Sequence, residues 1–214
     1  MLLRLFPEHV DVLIILLPTL VFSLCFHEFA HGYIAYKLGD TTAAKNGRLT
    51  LNPLAHLDPI GSLMILFVGF GWAKPVPVNP ANFSNPRIDM IKVAFAGPAS
   101  NLILAFIAGT ILRLTIITIS SHNNLLIIIL QYFMWVNIAL AVFNMLPVAP
   151  LDGSQIFENM IAKNNPELAW KMQIYGPKVL MVLIIISFIS PKFSIFSIIM
   201  NPFIKLFMYL FAGL

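Results

Sequence analysis

The chain has 214 residues, of which 59% are hydrophobic and only 10% charged, with a mean hydropathy of +0.87. A soluble domain is about 45–50% apolar and about 25% charged, so these figures exclude one and indicate an integral membrane protein. The net charge of +4 comes from 13 Lys and Arg scattered over loops. They form no basic helix or aromatic-interleaved patch, which argues against a nucleic-acid partner.

The first eleven residues, MLLRLFPEHVD, do not resemble a cleavable signal, because Pro7, Glu8 and Asp11 break the apolar run. The first predicted span covers residues 10–38, long enough to cross a bilayer with tilt, and Pro18 is expected to bend it. Cys25 is the sole cysteine, so no internal disulfide is possible, and it reads as a small buried hydrophobe. A polar loop follows over 39–57, punctuated by Asn52-Pro53 and Asp58-Pro59. Residues 60–71 are apolar but too few for a plain crossing. Pro75, Pro77 and Pro80 then alternate through an extended stretch. Residues 60–80 together predict a re-entrant segment whose backbone is covered by protein or lines a wet cavity.

The second span is predicted over 89–119, with Gly97-Pro98 inside it, and a turn at 120–124. The third covers 125–146 and is stopped by Pro147 and Pro150. A shorter helix starts at Asp152-Gly153-Ser154, and a polar connection at 163–167 leads to spans at 172–189 and 194–211, broken by Ser190-Pro191-Lys192. The expected fold is an all-α membrane bundle of about five transmembrane helices. Residues 1–165 would hold three of these spans and the re-entrant segment, and residues 166–214 the two C-terminal ones. Residues 37–92 hold six basic residues and 163–178 hold three, nine of the 13 in all. The positive-inside rule places both segments in the cytoplasm.

Inside the first span lies F-H-E-F-A-H-G at 26–32. His27 and His31 are four residues apart, so a helix projects both from one face, where two imidazoles can share a metal ion. Glu28, beside the first histidine, can reach a water bound to that metal. Ionisable side chains within a span are costly and usually mark function. Catalytic zinc commonly takes three protein ligands. At the depth of His27, the further candidates are Asp152, Glu158, His56 and Asp58. Asp152 stands in an apolar, Pro-bracketed context, where a free carboxylate is hard to explain, although a helix N-cap would also use it.

H-E-F-A-H in a first span, G-P-A-S-N at 97–101 and N-x-x-P-x-x-x-L-D-G at 144–153 together resemble the site-2 protease family of intramembrane zinc metalloproteases. The likeness runs over residues 20–165. It includes L-N-P-L-A-H-L-D-P-I-G and G-W-A-K-P-V-P-V-N-P, which resemble the compact bacterial and archaeal branch. The chain differs from larger relatives in having no PDZ-like insert and no span before the H-E-x-x-H helix. The resemblance implies one Zn2+ held by His27, His31 and Asp152, and a three-span catalytic core. It also implies a bacterial or archaeal cell membrane and membrane-spanning protein substrates cut near the cytoplasmic side.

Glu28 would then move the proton from water to the leaving amine. Asn144, eight residues before Asp152, is the first candidate for a donor to the oxyanion, followed by Asn101 and His56. Each has a plainer alternative: a helix cap for Asn144, helix packing for Asn101, an uninvolved loop histidine for His56. A substrate helix must unwind locally to be cut, and the extended 69–80 stretch could receive it by strand addition. The rival functions are a membrane metal transporter and an inactive metal-binding scaffold. The transporter predicts several ligand sets along the bilayer and gives no role to a glutamate beside, but outside, the ligand set.

Overall fold

The computed structural model describes residues 10–68, 71–118, 124–189 and 195–214. The N-terminal nonapeptide, Gly69 and Phe70 of the expected extended stretch, most of the 120–124 turn and the break at 190–192 lie outside the described residues. Among those described, the molecule is helical, with long helices α1 (Val10–Lys37), α5 (Pro86–Thr118), α6 (Leu125–Asn144), α8 (Pro166–Ile189) and α9 (Ile195–Ala212). These five are long and apolar enough to cross a membrane. Shorter helices are α2 (Thr42–Lys45), α3 (Pro53–His56), α4 (Pro59–Val68) and α7 (Asp152–Ile161). Four of the long helices continue through an internal proline, at positions 18, 98, 177 and 202. Such breaks are tolerated in a span because neighbouring helices and side chains re-satisfy the freed carbonyls.

Much of the apolar surface faces outward. Ile103, Phe106, Ile111 and Leu114 on α5 and Met181, Val182 and Ile185 on α8 are all exposed. Apolar area on this scale needs lipid rather than water around it. Helix α5 is the hub, packed against α1, α6, α7 and α9. Small residues at its contacts allow close approach: at Gly109, a Cβ would meet Phe211 Cβ of α9 at 2.7 Å. Helix α9 joins the core built by Leu112, Met134, Ile138 and Ile204. Helix α8 packs chiefly on α7. The two C-terminal helices thus differ in their attachment: α9 is built into the bundle and α8 stands at its side.

The expected re-entrant segment has two parts. Helix α4 is apolar and ten residues long, and residues 71–79 then run outside any helix, paired in strand fashion at Ala73 and extended at Asn79. Gly61 and Gly71 bring the two parts into backbone contact, since a Cβ on Gly61 would fall on the Trp72 backbone. A single antiparallel bridge joins Leu57 to Ala73, and Lys74 N donates to His56 O at 2.8 Å. The Arg48 guanidinium donates to the Lys74 and Pro75 carbonyls at 2.6 and 3.2 Å. Asp40 accepts from Asn79 N and Asn82 Nδ2, both at 2.7 Å. Extended backbone beside apolar helices therefore finds its partners in protein, as membrane depth demands.

Candidate metal centre

The H-E-F-A-H turn lies in the C-terminal half of α1, on the face turned toward α5. His27 and His31 are both buried, with ring centroids 4.6 Å apart. Asp152 opens α7. The residue before it, Leu151, holds the N-cap position without a side-chain bond, so Asp152 does not serve as the cap. Its carboxylate turns instead to the imidazoles: Oδ2 is 3.0 Å from His27 Nε2 and Oδ1 is 3.4 Å from His31 Nε2. The helix N-terminus favours that negative charge. An ionised carboxylate is the form a metal requires.

Gly153 explains how α7 comes so close. A Cβ there would collide with the Met145 and Leu146 carbonyls at the end of α6, the latter at 2.6 Å. Gly97 plays the matching role on α5, where a Cβ would sit 2.5 Å from His27 Nε2. The space over the two metal-facing nitrogens exists because α5 carries no side chain there. The other ring nitrogens are engaged. His27 Nδ1 lies 2.6 Å from Asn101 Oδ1, and His31 Nδ1 lies 2.7 Å from the Val93 carbonyl. Both partners are acceptors, so each Nδ1 carries the hydrogen and each Nε2 lone pair points inward.

Ligand atoms of His27, His31 and Asp152 lie within 4.8 Å of one another. Two ligands each about 2.0–2.1 Å from one zinc at a tetrahedral angle stand about 3.3 Å apart. The observed 3.0 and 3.4 Å match that spacing. The donor set, the anchored imidazoles and the gap left by Gly97 all fit a zinc ion.

A cavity of about 960 Å3 opens onto the three candidate ligands. Glu28 and Asn144 line it, as do Trp72 and Val76 of the extended segment. Its far wall is α8, through Pro177, Leu180 and Ile184. Glu28 Oε2 accepts from Val76 N at 2.9 Å. Asn144 donates one amide hydrogen to Leu140 O at 3.0 Å.

Two expected donors are placed elsewhere. Asn101 is fully buried behind His27, with its amide spent on His27, Asn137 and Ser23 O. His56 is buried at the end of α3 and its Nε2 lies 2.7 Å from the Thr50 carbonyl. Neither lines the cavity, so an oxyanion role does not match their positions. The other carboxylates considered as ligands are also engaged elsewhere, with Asp58 accepting from Gly61 N and Glu158 from Gln173. Sequence reasoning passed over Asn137, Asp40, Arg48 and the Val93 carbonyl. Asn137 left a signal, as an amide in the middle of an apolar span, seven residues from Asn144 and so on nearly the same face.

YwhC of Bacillus subtilis, whose designation as a zinc metalloprotease is itself provisional, is 43% identical to this chain over 174 residues, 79% of this chain and 80% of that protein. The model of Peptidase family M50 matches residues 112–187. The chain belongs to peptidase family M50. Rip2 of Mycolicibacterium smegmatis, with the same provisional designation, is 31% identical over 75% of this chain and 61% of its own length. Rip2 of Mycobacterium tuberculosis is 29% identical over 70% and 58%. No solved structure matches the chain. This M50 member is therefore a membrane zinc metallopeptidase. The family match spans α7 and with it Asp152, while the H-E-F-A-H turn lies outside that stretch.

Proposed function

We propose that the chain hydrolyses peptide bonds within, or near the cytoplasmic end of, transmembrane segments of other proteins, using one zinc ion held by His27, His31 and Asp152. The observation that carries this reading is the meeting of ligand atoms 125 positions apart in sequence on the wall of a cavity that Glu28 also lines. Zinc bound there polarises a carbonyl and lowers the pKa of water. Glu28 takes the proton of the attacking water and delivers it to the leaving amine. Asn144 turns its remaining amide hydrogen to the oxyanion.

The substrate is a membrane-spanning helix, unwound locally because helical peptide bonds are shielded by their own hydrogen bonds. Residues 71–79, extended along the cavity, receive the unwound chain by strand addition. Residues 1–165 supply the catalytic core, and α8 forms the wall past which substrate enters. The basic-residue count supports a site facing the cytoplasm, and the bacterial relatives support a bacterial cell membrane.

The test is co-expression with single-span proteins, comparing wild type with Glu28→Gln. Wild type should release a cytoplasmic fragment, and the variant should release none while keeping its zinc. Equal release from both would end the proposal.

A further inference from the structure

Two buried amides and a backbone carbonyl stand in line behind His27, and their order is one-directional. The Phe133 carbonyl can only accept, and Asn137 Nδ2 donates to it at 2.9 Å. That contact turns Asn137 Oδ1 toward Asn101, whose Nδ2 donates to it at 2.9 Å. Asn101 Nδ2 also faces the Ser23 carbonyl at 3.3 Å, a second group that can only accept. The amide of Asn101 is thereby held with Oδ1 toward His27 Nδ1, at 2.6 Å. Asn101 and Asn137 are both fully buried. Water cannot substitute for either partner, and an unmet polar atom there costs about 1–3 kcal/mol.

We infer that Asn137 is a positioning residue for the metal centre: through Asn101 it fixes which nitrogen of His27 carries the hydrogen and keeps Nε2 free for zinc. Neither residue touches substrate. Asn137 acts from α6, Asn101 from α5 and His27 from α1, so the relay also ties the three core helices together at the depth of the metal. If Asn101 lost its partner, its amide could rotate and present Nδ2 to His27. The imidazole would then adopt the other tautomer, with its hydrogen on Nε2. This inference rests on the His27–His31–Asp152 zinc site proposed above.

Zinc affinity of the detergent-solubilised full chain, measured by chelator competition, tests it. Partners of metal-bound histidines typically contribute about 10–100-fold to affinity. Asn101→Leu should weaken zinc binding within that range. Asn137→Leu, nearly isosteric, should weaken it by about tenfold, at the low end of that range. The double variant should match Asn101→Leu alone, because Asn137 acts only through Asn101. Asn101→Asp loses the donor to Asn137 and Ser23 O but keeps an acceptor opposite Nδ1 in either orientation, so it should bind zinc more tightly than Asn101→Leu, whereas a purely structural role would make the buried carboxylate the worse of the two. It also keeps the test open should Asn101→Leu not fold. Wild-type affinity in Asn137→Leu, or additive losses in the double variant, would overturn the relay. Asp152→Ala serves as the separate control: if it binds zinc as wild type does, the site assignment itself fails and the relay goes with it.

Discussion

Glu28 accepts a hydrogen bond from the backbone N–H of Val76 at 2.9 Å. The candidate general base on α1 is thereby tied to the extended segment across the cavity. Substrate added along that segment would meet the base at a set distance. A bond from a backbone donor to a charged carboxylate contributes about 1.5–3 kcal/mol. Val76→Pro removes the donor in a stretch already bracketed by Pro75 and Pro77. The expected outcome is a fall in turnover of about tenfold to a hundredfold, from the same energy, with zinc content unchanged. Replacing residues 72–78 by a flexible linker should do the same more severely. Turnover at the wild-type rate in both would show that this segment neither sets the base nor receives substrate.

Gly97 keeps open the space over the imidazole nitrogens. Gly97→Ala would place a methyl group 2.5 Å from His27 Nε2. Overpacking costs typically about 1–3 kcal/mol when neighbours can shift. Here the shift must move the imidazoles or exclude the ion. Metal analysis of the purified variant should show zinc well below one per chain, with activity lost in proportion.

Gly153 brings α7 onto the end of α6. Gly153→Ala pushes the first turn of α7 off the Met145 and Leu146 carbonyls and carries Asp152 away from the histidines. Zinc affinity should fall by at least tenfold, the scale of a lost or misplaced ligand neighbour. Apo and zinc-loaded melting temperatures should converge, because a ligand that no longer binds the folded state no longer stabilises it.

Asp40 anchors the far end of the extended segment through Asn79 and Asn82. Burial pushes its pKa up, but bonds from Thr42, Asn79 and Asn82 outweigh it, so the folded value lies below the ordinary one. The sign follows: the anchor is fully present above the unfolded pKa, about 3.9, and is lost only as pH falls through the folded value. Asp40→Asn sets an amide donor against one of those donors and should cost about 1–3 kcal/mol. The gap in melting temperature between wild type and variant should stay level from pH 5 to 8. It should narrow only in stronger acid. Narrowing near neutrality would mean that another group holds the segment.

Local periodicity and hydropathy determined a great deal of this protein. A span is a run of apolar residues of bilayer length, so α1, α5, α6 and α9 were legible within a few residues of their ends, whereas α8 begins six residues before the expected 172, at Pro166, because its first turns are polar. An i, i+4 histidine pair is a property of one helix turn, so His27, Glu28 and His31 could be singled out without any other part of the chain. The resemblance of L-D-G to a known pattern named Asp152, although spacing alone left Glu158, His56 and Asp58 beside it. What required tertiary structure was every contact made across helices. Whether Asn101 faced the cavity or the back of His27 depended on the rotation of α5 against α1, which no sequence period encodes. Asn137 gained its place only once α6 had packed behind α5. Gly97 and Gly153 read as ordinary close-packing glycines until the metal-facing nitrogens and the α6 carbonyls occupied the positions of their missing Cβ atoms. Burial within one helix is a local pattern, whereas which buried amide meets which imidazole is decided by how the helices pack together.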